Sequence, residues 1–121
     1  MTDKRPVKVI LLNQAKTEFE ELNRIVGGQQ AKGITNSEEI QLFKSIKQKS
    51  ELLKINPTYG DKIPHKLIPK TLNVPNLFRI ELTGYWRMLY TLEGNEIEIV
   101  AFVLYLIDHP TYNNLFGYRK R

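Results

Sequence analysis

The chain of 121 residues has no cysteine, a single tryptophan, two methionines and two histidines. Without cysteine there are no disulfides and no thiolate metal sites, which fits a reducing compartment. No stretch approaches the ~18 consecutive apolar residues of a membrane-crossing helix. The apolar run in MTDKRPVKVILL is too short for a secretory leader. There is no P-loop, no Gly-x-Gly-x-x-Gly and no His/Glu metal spacing. His65 and His109 stand far apart, so a zinc site would need both of them and carboxylates besides. Ser37, Ser45 and Ser50 lack an obvious partner for nucleophilic catalysis. The chain is therefore expected to use no metal and no cofactor, to avoid membranes and to be cytoplasmic.

What is present is an ordinary apolar share, 41%, and a mixed charged share of 26%. That composition and length predict one domain over residues 1–121 with one core. The formal charge of +5 and a pI near 9.5 point to a polyanionic partner: RNA, DNA or an acidic protein.

Val7 to Leu12 predicts a first strand. Asn13 offers a helix N-cap, the apolar positions Ala15, Phe19, Leu22 and Val26 recur at helical spacing, and Gly27-Gly28 predicts the end of that helix. Asn36 with Glu39 makes a capping box for a second helix, which Pro57 stops near Asn56. Residues 57–75 predict a long loop carrying Lys62, His65, Lys66 and Lys70. LFRIEL (77–82) alternates, with Phe78, Ile80 and Leu82 on one face and Arg79 and Glu81 on the other. YWRMLYTL (85–92) follows a turn at Thr83-Gly84. EIEIVAFVLYLI (96–107) is apolar on both faces in its middle, as a central strand is. The tail DHPTYNNLFGYRKR is aromatic and basic.

The expected class is α+β in the order β-α-α-β-β-β. Two N-terminal helices pack on one face of a small antiparallel-rich sheet. The opposite face is expected to be open and to carry Arg79, Glu81 and Arg87. An exposed Arg87 would contribute well under ~1 kcal/mol to stability. Arginine suits bidentate phosphate contact. RNA is cut without metal when the 2′-oxygen attacks its neighbouring phosphate, a base takes its proton, an acid protonates the leaving oxygen and cations stabilise the added charge. Arg79, Arg87, His109 and Tyr112 are the groups available for that chemistry. Lys62, Lys66, Lys70, Tyr85, Arg119, Lys120 and Arg121 are the candidate RNA contacts. Plainer roles compete: Arg79 and Glu81 as a surface ion pair, Tyr85, Trp86 and Tyr90 as core, His109 as a turn residue.

Taken together, the run LFRIELTGYWRMLYTLEGNEIEIVAFVLYLIDHPTYNN resembles the C-terminal half of the RelE/ParE superfamily of type II toxins. The shared features are a basic strand, a Gly turn, an aromatic-Arg-apolar-apolar-Tyr strand, a strongly apolar strand and a tail Tyr. The likeness is nearest to RelE-like mRNA interferases. It implies ribosome-dependent cleavage of mRNA, inhibition of translation and silencing by a cognate antitoxin protein. By the same resemblance Arg87 matches the arginine that holds the scissile phosphate, Arg79 a basic position on the preceding strand, and Tyr112 the C-terminal Tyr. Glu81 stands where RelE itself has a second strand lysine, and Leu106–Ile107 where it has another arginine. His109 is the substitute the sequence offers. The ParE branch, which inhibits gyrase without cutting RNA, implies the alternative: a non-catalytic binding toxin or RNA- or protein-binding module.

Overall fold

The computed structural model describes residues 4–117. The chain runs through β1 (Val7–Leu11), α1 (Asn13–Ala31), α2 (Glu38–Ile55), β2 (Asp61–Lys62), β3 (Phe78–Glu81), β4 (Trp86–Gly94), β5 (Ile99–Asp108) and α3 (His109–Leu115). The five strands form one sheet in the order β1-β5-β4-β3-β2. β1 runs parallel to β5, and every other pair is antiparallel. The class is α+β, with one strand and one helix more than the sequence predicts. Among the described residues, no helix is long and apolar enough to cross a membrane.

α1 and α2 cover one face of the sheet. Ala15, Leu22, Val26, Ile40, Ile46 and Leu53 pack there against Phe78, Ile80, Met88, Tyr90, Ala101, Val103 and Leu106. Phe19 and Phe43 stack between the helices at 5.3 Å. Gly27 and Gly28 do not end α1; they lie within it. Each costs about 1 kcal/mol relative to Ala, and burial of Leu22 and Val26 beside them offsets that cost. The helix stops at a Schellman turn. Gly33 takes φ +81, its N–H donates to Gln30 O at 3.0 Å, and Ile34 N–H donates to Gln29 O at 3.0 Å.

The cap of α2 also differs from expectation. Ser37, not Asn36, is the N-cap, its Oγ accepting from Ile40 N–H at 3.0 Å. Ser37 in turn donates to Gln29 Oε1, and Gln29 Nε2 donates to Glu39 Oε1. Glu39 thus ties the end of α1 to the start of α2 instead of closing a box. Asn13 is the first helical residue of α1, and Leu12 holds the N-cap position.

The 57–75 segment is pinned at both ends. Tyr90, wholly buried, donates its hydroxyl to Pro57 O at 2.8 Å and accepts from Gly60 N–H at 3.0 Å. Gly60 is required there: a Cβ would meet Arg79 O at 2.9 Å. At the other end Asn76 Oδ1 accepts from Thr91 Oγ1 and Leu92 N–H, while its Nδ2 donates to Leu92 O. The amide side chain thereby stands in for a strand neighbour on β4. Between these pins the segment includes β2 and two 3₁₀ turns, His65–Leu67 and Lys70–Leu72.

That segment and α3 overturn the expectation of an open second face. Ile63 and Leu77, partly buried Ile68, Leu72 and Val74, Tyr112 and Leu115 from α3, and Phe116 just after it close over Leu89, Tyr105 and Ile107 as a second, smaller core. A register shift between Leu89 and Tyr90 helps. Leu89 faces Tyr105 while Tyr90 faces Val103, so Leu104 is an extra residue that joins this core. α3 begins at Asp108, whose carboxylate accepts from Thr111 N–H at 3.0 Å. Hydrogen bonding from the Thr111 side chain, and then from its N–H, holds the Asp108 carboxyl below its ordinary range.

Candidate functional site

Antiparallel register places Glu81 opposite Arg87 and Arg79 opposite Leu89. Residues directly opposite share a face, so Arg79, Glu81 and Arg87 stand together, as alternation predicts. Their surroundings are not those of an open sheet. Tyr112 is 3% exposed. Arg79 Nη1 donates to the Tyr112 hydroxyl at 3.1 Å. The Arg87 guanidinium lies 4.3 Å from the Tyr112 ring centroid, and the Phe116 ring stacks on the same tyrosine at 4.3 Å. Tyr112 is therefore a platform beneath two arginines.

Each arginine also has a loose acidic neighbour. Arg79 Nη2 is 3.6 Å from Asp61 Oδ2, and Arg87 Nη2 is 3.9 Å from Glu81 Oε1. Burial works against the Arg79 charge, while the Tyr112 hydroxyl and the Asp61 carboxylate favour it; the balance raises its pKa. Arg79 Nε is buried and makes no hydrogen bond among the described residues. The Arg87 side chain is only 16% exposed, which corrects the expectation of an exposed strand arginine. A guanidinium stacked on a ring engages through its face, so its N–H edge stays available for an anion.

Arg87 opens into a cleft lined also by Glu81, Tyr85, Trp86, Asp108 and His109. His109 is exposed on the first turn of α3. Tyr85 is 84% exposed and holds φ +63 at the end of the 3₁₀ turn Thr83–Tyr85. A bulky residue in the left-handed region is strained, so this aromatic is held out into solvent at some conformational cost.

The structure thus brings together Arg87, His109 and Tyr85 around the cleft, with Arg79 and Tyr112 behind it. Lys62, Lys66 and Lys70 are exposed on the 57–75 segment and do not line the cleft. Arg119, Lys120 and Arg121 lie outside the described residues. Glu81 and Asp108 are cleft carboxylates missing from the predicted chemistry, and Glu81 is the one beside Arg87. Its signal is visible in hindsight: strand alternation already set it beside Arg87. No protein family, no curated protein and no solved structure matches this chain.

Proposed function

We propose that the chain is a RelE-like type II toxin, a ribosome-dependent endoribonuclease that cuts mRNA without a metal. The observation that carries this reading is the convergence of Glu81, Arg87 and His109 on one cleft, with Arg87 clamped on Tyr112. Arg87 takes the scissile phosphate on its N–H edge. A carboxylate and an imidazole beside it divide the two proton transfers: Glu81 removes the proton from the 2′-hydroxyl, and His109 protonates the leaving 5′-oxygen. The bond formed is 2′-O to phosphorus and the bond broken is phosphorus to 5′-O, leaving a 2′,3′-cyclic phosphate. Arg79 adds positive charge behind the site, and Tyr112 positions both guanidinium groups. An antitoxin protein, the ribosome and mRNA are the partners of this reading.

A second reading has its own support. Arg79 and Arg87 both engage Tyr112 within the fold, so the same cluster serves a non-catalytic binding toxin without further chemistry. Cleavage on programmed ribosomes separates the two. The nuclease reading expects EDTA-insensitive cutting and cyclic-phosphate ends, and His109→Gln lowers the rate ~10²–10⁴-fold with an unchanged melt because His109 is exposed. Ends bearing 3′-hydroxyls, or no cutting by the wild type, favour the binding reading.

A further inference from the structure

A second cavity, about 510 Å³, lies on the helix side of the Thr83–Trp86 turn. Its apolar floor is Leu22 and Ile25 of α1, Leu42 and Ile46 of α2, and Trp86. Its banks are acidic: Glu18 and Glu21 on α1, Glu38 and Glu39 on α2. The spacing explains the arrangement. Glu18, Glu21, Leu22 and Ile25 fall at i, i+3, i+4 and i+7, one helix face. On a chain of net charge +5 this is a local reversal of sign.

The carboxylates are unevenly satisfied. Glu21 pairs with Arg24, and Glu39 accepts from Gln29. Glu18 and Glu38 form no ion pair among the described residues. Burial, with Asp108 and Glu21 nearby, raises the Glu18 pKa. Glu18 is therefore the bank carboxylate that a cation would relieve, whereas Glu38 is exposed on the first turn of α2, where the helix dipole favours its charge.

We infer that this groove docks a cationic amphipathic helix of a partner protein, its apolar stripe on the Ile25–Leu42–Trp86 floor and lysines or arginines on the Glu18 and Glu38 banks. Acid on both banks of an apolar strip matches an apolar stripe flanked on both sides by basic residues, the pattern of helix-in-groove recognition. The inference does not rest on the nuclease reading, and its occupant is opposite in charge to any ligand of the Arg87 cleft.

Trp86 is the only tryptophan and lines both this groove and the Arg87 cleft, so its fluorescence reports binding at either, and the charge-reversal variant below assigns the signal to the groove. Two synthetic peptides with the same apolar stripe, one flanked by lysines and one by glutamates, are titrated into the full chain. The lysine-flanked peptide shifts Trp86 emission saturably and loses affinity as salt rises; the glutamate-flanked one does not. Glu18→Lys/Glu38→Lys weakens the lysine-flanked peptide by about tenfold or more and admits the other. Ile25→Asp, with its melt checked, abolishes binding of both. Equal binding of the two peptides, no binding by either, or a preference unmoved by the charge reversal would overturn the inference. So would self-association of the free chain that the double variant abolishes, because a second copy would then own the groove. Ribosome-dependent cutting should be unchanged in Glu18→Lys/Glu38→Lys, so either reading can fail without the other.

Discussion

The two faces of the sheet solve different problems. The helix-covered face buries Ile40, Ile46, Met88, Val103 and Leu106 almost completely, and the buried Tyr90 hydroxyl there has a donor and an acceptor. The other face has a thinner cover, assembled from the 57–75 segment and α3, and it holds two guanidinium groups among Leu89, Ile107 and Tyr112. The first face supplies stability by burial alone. The second retains partly buried charge beside a carboxylate and an imidazole, an arrangement that adds little to stability and that the proposed function uses.

The sharpest test of that division is a pair of truncations. Ile46→Ala, at 2% exposure, should cost about 2–5 kcal/mol in denaturant unfolding and, on the nuclease reading, leave cutting per folded molecule unaltered. Arg87→Ala should do the reverse: cleavage falls ~10²–10³-fold, about 3–4 kcal/mol, while the melt loses only the stack on Tyr112, about 0.5–2 kcal/mol. Arg87→Lys should recover part of the melt and little of the cutting, since a lysine lacks the planar fork. If Arg87→Ala unfolds the chain as severely as Ile46→Ala, the two faces are not distinct.

The next effect depends on pH. Burial pushes Tyr90 up from 10.0 to about 12. The native state therefore favours the neutral phenol, and the unfolded chain gives up its proton first. The stabilisation is complete below pH 10 and is lost progressively between pH 10 and 12, on the order of 2–3 kcal/mol. Tyr90→Phe should remove that part of the alkaline decline and lower stability near neutrality by about 1–3 kcal/mol, because Pro57 O and Gly60 N–H lose their partner. Urea melts of both proteins across that range check it. The smallest effect is Tyr112→Phe, which keeps the ring under Arg87 and deletes the bond to Arg79. It should cost about 1 kcal/mol in stability and slow cutting less than Arg87→Ala, as expected of a residue that positions rather than transfers a proton.

Local periodicity made much of this legible. The two long helices, strands β1, β3, β4 and β5, and the shared face of Arg79, Glu81 and Arg87 follow from spacings of 3.6 and 2. The misses have separate causes. Gly27-Gly28 has an intrinsic preference for breaking helices, which packing of Leu22 and Val26 overrode. Ser37 and Asn36 are both good caps, and neighbouring contacts with Gln29 chose between them. α3 is too short for its pattern to stand out in an aromatic tail, although Asp108 and Pro110 are start signals. The acidic groove escaped notice because its banks come from two helices whose juxtaposition no single window contains.

The sequence by itself determined which residues share a strand face, because side-chain alternation is a property of neighbouring residues. Only the tertiary structure decided that this face is covered, that Tyr112 lies beneath the arginines rather than free in solvent, and that Glu81 shares a cleft with His109. Those outcomes rest on contacts such as Arg79 to Tyr112 and Tyr90 to Pro57, each spanning 33 residues of chain. Contacts of that range form only when the apolar surfaces of distant segments are buried together, and no local pattern encodes which segments will meet.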